Sequence, residues 1–194
     1  MTTNNSTLLA RVHYADKKGI EILTKSLANL IQFRDTVFVC IGSDRSTGDA
    51  LGPLVGSKIA SLASPNIHIY GTLDSPVHAL NLPDIVAQIE NDHDGSLIIA
   101  IDACLGRAES VGAVSLRQGP LCPGTGVNKT LPVIGDYHFI GVVNIGGFLE
   151  HLVLQNTRLS LVIRMADFIA ESISKAVDMV DSEMTSFTQD ISLI

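Results

Sequence analysis

Two short runs constrain the fold of this chain more than any other feature of its sequence. Thr36-Val37-Phe38-Val39-Cys40-Ile41 and Leu97-Ile98-Ile99-Ala100-Ile101 are apolar almost without interruption and rich in β-branched residues. A strand with one face in water alternates apolar and polar positions, so a strand without alternation must be covered on both faces. Each run stops at a stretch bearing an acid. Gly42-Ser43-Asp44-Arg45-Ser46-Thr47-Gly48-Asp49 follows the first, and Asp102-Ala103-Cys104-Leu105-Gly106 follows the second. Buried strands that open into polar loops and then helices form the ligand-binding edge of an open α/β sheet. The sequence therefore predicts that Asp49 and Asp102 meet at one cleft.

The rest of the chain is read against these runs. Ile20, Leu23, Leu27, Leu30 and Ile31 predict an amphipathic helix over 16–33. Leu51, Leu54, Val55, Ile59 and Leu62 predict another over 49–62, with Pro53 in its first turn, where a missing N–H costs little. Ile67–Tyr70 reads as a short strand, and 77–91 as a helix broken or kinked near Pro83. Stretches 111–116 and 138–144 read as strands, and 148–180 as helix in two pieces. Residues 117–135, rich in Gly and Pro, read as a long ordered loop. Residues 1–15 are polar and expected to be poorly ordered, and the tail 183–194 is assigned to no element. A single α/β domain is thus expected over 16–182. Alternating strands and helices predict three layers: a mostly parallel open sheet of about five strands with helices on both faces.

Composition narrows the function. The net charge is −7, aromatic residues make up 5% and Trp is absent. That balance argues against nucleic acid and anionic membranes as partners. Cys40, Cys104 and Cys122 are odd in number and lack paired spacing, which favours neither a disulfide framework nor a thiolate zinc site. A reducing cytosol is the simpler setting. The N-terminus lacks the pattern of a signal peptide, and no apolar run approaches the roughly 20 residues that span a bilayer. No metal or cofactor is expected. The low charged fraction, 17%, hints at a homodimer.

Two carboxylates at one cleft can share a proton, bind a divalent metal, or serve the fold, with Asp49 capping the helix that follows it. For Asp49 the capping and functional readings weigh evenly. Asp102, directly after a buried run, is harder to read as structural. Asp44 and Arg45 pair with each other in solvent or with a substrate carboxylate. Gly42, Gly48 and Gly52 match neither the dinucleotide fingerprint nor the Walker pattern. Cys104 as a nucleophile would need His78 or His138 as base, and a buried structural thiol outweighs that reading. His78, after the loop Gly71–Pro76, is the histidine best placed for the site. Gln155–Arg158 forms a polar patch suited to the cleft, a dimer contact or a solvated face.

Several segments carry a resemblance. Ile41–Val55, Gly71–Leu82, Ile101–Gly106 and Leu152–Leu159 together resemble the YyaC family of sporulation proteins of spore-forming Firmicutes, over about 35–170. More distantly, Asp49–Val55, Ile101–Ala103 and Pro123–Lys129 resemble the germination protease that degrades small acid-soluble spore proteins. That enzyme is regarded as an atypical aspartic-type endopeptidase, and its essential aspartates match Asp49 and Asp102. Hydrogenase maturation endopeptidases share the same fold. There, acids at these two positions plus a histidine hold the nickel of the substrate. Here the loop that should offer the histidine reads Gly124-Thr125-Gly126-Val127. The resemblance implies a hydrogenase-maturation-protease-like (phosphorylase/hydrolase-like) fold and an endopeptidase of sporulation or germination in the forespore or spore core cytoplasm. Asp49 and Asp102 would be catalytic. Ser43, Asp44, Arg45, Thr72, His78, Gly124, Gly126 and Asn128 are taken as contacts to a peptide or protein substrate, spore proteins among the candidates, although Asp44-Arg45 has no counterpart in either relative. Amides of 42–48 and 124–126 would stabilise the oxyanion. Two other readings stand: a non-catalytic sporulation protein that keeps the cleft to bind a peptide or partner, and a metal-dependent maturation factor.

Overall fold

The computed structural model describes residues 6–32, 34–123 and 131–191, with side chains as far as Glu183. The elements are β1 (Thr7–His13), α1 (Gly19–Ile31), β2 (Thr36–Cys40), α2 (Leu51–Ile59), β3 (Ile67–Tyr70), α3 (Leu82–Asp92), β4 (Leu97–Gly106), β5 (Ala113–Gln118), β6 (Tyr137–Ile145), α4 (Glu150–Gln155) and α5 (Leu159–Ile191). The strands form one sheet in the order β1-β5-β6-β4-β2-β3. Strands β3, β2, β4 and β6 are mutually parallel, and β5 and β1 extend the sheet antiparallel.

The two apolar runs become the adjacent strands β2 and β4, in register from Thr36↔Leu97 to Cys40↔Ile101. Their lack of alternation has the expected cause. Phe38, Cys40, Ile99 and Ile101 pack under α1, α2 and α5, in a cluster that includes Leu23, Leu27, Val55, Met165 and Ile169. Val37, Val39 and Ala100 on the opposite face pack with Leu82 and Ile89 of α3 and with Leu121 and Ile134. Among the described residues no helix is long and apolar enough to cross a membrane.

Four expectations change. Thr7–His13 is not poorly ordered: it forms β1, paired antiparallel with β5. Only Ala10 and Val12 of that strand are buried, and its partner lies about a hundred residues away in sequence, so the local pattern is weak. Helix α3 starts at Leu82, and Pro83 occupies its first turn instead of breaking it. Helix α5 runs through the stretch left unassigned, to Ile191. Finally, β4 does not end at Ile101. It continues to Gly106 because β6 accompanies it as far as Ile145, so Asp102 lies inside a strand.

The start of α2 is seated against the end of the β2 run. A Cβ at Gly52 would lie 2.1 Å from the Ile41 carbonyl oxygen. Glycine to alanine in a helix usually stabilises by about 1 kcal/mol. Here the sign reverses: Gly52→Ala is expected to cost about 2 kcal/mol or more, because backbone must shift. Denaturant unfolding checks this, and an unchanged or raised midpoint would contradict the packing.

Candidate active site

The site arises where β2 stops and β4 does not. The last bond between them runs from Ile41 N–H to the Ile101 carbonyl, 2.8 Å. Gly42 then turns away, its N–H donating to the Val77 carbonyl at 2.8 Å. Gly42 has φ 145°, and a Cβ there would lie 1.9 Å from the Asp49 carbonyl oxygen, so only glycine lets the loop fold back on itself. Ser43 N–H donates to that same carbonyl at 3.2 Å, closing the loop on Asp49.

Two neighbouring segments are fixed around this loop. Gly48 N–H donates to the Leu154 carbonyl at 2.8 Å, tying the loop to α4. Helix α4 starts from Leu149, a non-glycine residue at φ 57°, which is costly for a bulky side chain. On the other side Asn81 braces the approach to α3. Its Oδ1 accepts His78 N–H at 2.8 Å, and its Nδ2 donates to the Pro76 carbonyl at 3.0 Å.

These segments enclose a cleft of about 270 Å³. Asp49, His78, Asp102 and Cys104 line it with Glu150 and His151 of α4, over apolar walls that include Leu121, Leu131 and Leu154. Asp102 is 9% exposed and Asp49 half-buried. Burial lifts both carboxyls above their ordinary range, and Asp102 is lifted further by the negative charge of Asp49. The opposing influences differ. Asp49 has a Ser43 backbone N–H and the His78 ring on the side of its charged form, whereas among the described residues Asp102 has only the Ala103 N–H, 2.8 Å from its Oδ1. The environment thus treats the two acids unequally: both are raised, and Asp102 is raised the further.

The capping alternative for Asp49 does not hold. Ala50 occupies the N-cap of α2, with no side-chain capping bond. Nor is Cys104 suited to nucleophilic attack. Burial, with the charge of Asp102 added, pushes its thiol up to about 11, and attack requires the thiolate. His138 is no base for it either: it is buried outside the cleft, with its Nδ1 2.8 Å from the Gly119 carbonyl. His78 Nδ1 is different: it is buried and, among the described residues, without a partner. Among the described residues no three His, Cys, Asp or Glu side chains are grouped to hold a metal ion.

The structure brings Asp49, Asp102 and His78 together and places several other expected residues elsewhere. Ser43 and Thr72 brace loops: their hydroxyls accept the N–H of Arg45 (3.2 Å) and of Ser75 (3.1 Å). Asp44 and Arg45 are exposed, do not line the cleft, and form no ion pair with each other among the described residues. The N–H groups of Gly42, Ser43, Arg45, Ser46 and Gly48 bond within the fold, so this loop is not a free oxyanion hole. Gly124, Gly126 and Asn128 lie outside the described residues. The sequence reading missed Glu150, Leu154 and Cys122 as lining groups and left His151 unassigned. The polar patch Gln155–Arg158 does not line the cleft; the residues of α4 that do, Glu150, His151 and Leu154, precede it, and the bond between Gly48 and Leu154 is what brings them there.

Sheet order, helices on both faces and an acid-lined cleft at the carboxyl edge define an open α/β protein with a candidate site at the ends of its parallel strands. The structure is similar to that of the [NiFe] hydrogenase maturation protease HycI from Thermococcus kodakarensis KOD1, with a TM-score of 0.52 and 18% identity, over 78% of this chain and 98% of that one. At that identity the likeness is one of fold. The chain belongs to the family described as "Protein of unknown function (DUF1256)", which matches residues 11–172. It is 49% identical over 160 residues to the "Uncharacterized protein YyaC" of Bacillus subtilis (strain 168), covering 82% of this chain and 78% of that protein. The family expected from the quoted segments is therefore the family found.

A carboxyl raised in the folded chain binds its proton more tightly there than when unfolded. Its stabilising contribution is complete below the ordinary value of 3.8 and is lost as pH rises through the raised value. Asp102→Asn removes that loss, and its amide oxygen can still accept Ala103 N–H. The substitution is expected to stabilise the protein by on the order of 1 kcal/mol at pH 7.5, with the gain shrinking toward pH 4. Urea unfolding at both pH values checks the sign; a gain that is equal or larger at pH 4 would contradict it.

Proposed function

We propose that this protein is a peptidase that uses Asp49 and Asp102 as an acid pair to hydrolyse a peptide bond. The observation that carries the reading is that one cleft holds two carboxyls in unequal surroundings: burial raises both, and Asp102, the more deeply buried, is raised further by the charge of Asp49. Ionised Asp49 accepts a proton from a water as the water oxygen bonds to the scissile carbonyl carbon. The Asp102 O–H donates to the carbonyl oxygen and carries the developing charge. Collapse of the tetrahedral species breaks the C–N bond, with the proton held by Asp49 passing to the leaving amine. The Ala103 N–H keeps Asp102 Oδ1 as an acceptor, which leaves Oδ2 to carry the proton. The resemblance to the germination protease supports a substrate among spore proteins and action inside the developing or germinating spore.

In this mechanism activity falls at low pH as Asp49 is protonated and at high pH as Asp102 ionises, giving a bell-shaped profile. Asp49→Asn and Asp102→Asn are each expected to lower kcat/KM by about 10²–10⁴ while the chain stays folded. The test is to incubate the wild-type protein and each variant with a spore-core protein extract and map new N-termini by mass spectrometry. Termini made by the wild type and absent with either variant support the reading. No new termini, or the same set from Asp49→Asn, would overturn it and leave a binding cleft.

A further inference from the structure

Beyond Ile101, β4 keeps a partner on one side only. Strand β2 has ended at Cys40, while β6 continues beside β4 to Gly106. Backbone groups alternate sides along a strand. The Ile101 carbonyl faces the β2 side, where it accepts Ile41 N–H at 2.8 Å, and the Gly106 carbonyl faces β6, where it accepts Gly146 N–H at 2.7 Å. Ala103 and Leu105 therefore present their backbone groups to the side that β2 vacates. The Ala103 N–H is taken by Asp102 Oδ1 at 2.8 Å. Among the described residues, the Ala103 carbonyl and the Leu105 N–H and carbonyl have no partner. Among the described residues no strand pairs with this edge, and Ala103, Cys104 and Leu105 line the cleft.

A short row of free donors and acceptors at a strand edge is matched by another extended backbone. We propose that the open edge of β4 at Ala103–Leu105 is a docking strip for an extended polypeptide segment, which adds a short strand in the line that β2 vacates and runs on past Asp102. The proposal rests on the reading of the cleft as a peptide site and names how the peptide is held. The Ala103 N–H is the next donor along the ladder, and Asp102 already occupies it. The added strand's next carbonyl thus arrives at the acid instead of at a backbone donor. The cleft that the strip lines has apolar walls, Leu121, Leu131 and Leu154 among them. The segment that fits is extended and carries apolar side chains.

The test uses the full chain with Asp49→Asn and Asp102→Asn, so that bound peptide is not consumed. A library of acetylated octapeptides rich in Val, Leu, Ala and Thr is screened, and the tightest member is resynthesised with one N-methyl group at each position in turn. Binding is expected to weaken about tenfold at two positions separated by one, and little at the position between them. Exchange of the Leu105 amide with solvent is expected to slow on binding. Leu105→Pro removes the one free donor of the strip, an N–H the fold does not use, and is expected to weaken binding by about tenfold. Leu105→Ala controls for the side chain; if the proline variant fails to fold, the N-methyl series decides. No octapeptide bound, no alternation in the series, or unchanged Leu105 exchange would overturn the strip. Alternating binding without cleavage by the wild type would leave the strip standing and remove the peptidase. Cleavage without alternation would do the reverse.

Discussion

A carboxyl buried inside a central strand, beside the charge of a second carboxyl, is the constraint on which the rest of this site depends. Burial alone disfavours the charged form of Asp102, and Asp49 disfavours it further. A fold can avoid such a cost by placing an asparagine or an apolar residue at that point. This fold instead arranges its neighbours so that the cost falls unequally on the two acids. Ser43 N–H and His78 favour charge on Asp49, and Asp102 has a single backbone donor. In the proposed mechanism these unequal environments make Asp49 the base and Asp102 the acid.

The architecture follows from holding that pair in place. Strand β2 must end early to open the cleft, and Gly42 and Gly52 let the loop and α2 fold tightly against its end. Asn81 braces the His78 segment, and Leu154 anchors the Asp49 loop to α4. Each of these contacts is backbone-directed, so the positions of the carboxyls depend little on long side chains. The same early end of β2 leaves the edge of β4 open beside the acids. One structural decision thus creates both the chemical site and a place to seat an extended chain.

How much of this was legible in the sequence depended on how local the cause was. Strands β2 and β4 stood out because burial on both faces leaves an unbroken apolar run. Strand β1 did not, because only Ala10 and Val12 are buried and its pairing comes from distant β5. Asp102 could be placed at the cleft from its position after such a run. Asp49 could not be separated from a helix cap, since the same position suits both roles; the difference is that Ala50 stands at the N-cap position of α2 and no side chain caps the helix. Ser43 and Thr72 look like substrate contacts in sequence because a free hydroxyl and one spent on a loop amide read alike. The contribution of α4 was hidden because it rests on a tertiary bond from Gly48.

The central claim is that Asp102 holds its proton at neutral pH because of burial and the charge of Asp49. Its most direct test is a carbon-13 NMR titration of the Asp102 carboxyl in the wild-type protein and in Asp49→Asn. The account predicts a midpoint well above the ordinary value of 3.8 in the wild type, which moves down when the charge of Asp49 is removed. A midpoint near 3.8, or a raised one indifferent to Asp49→Asn, would contradict it.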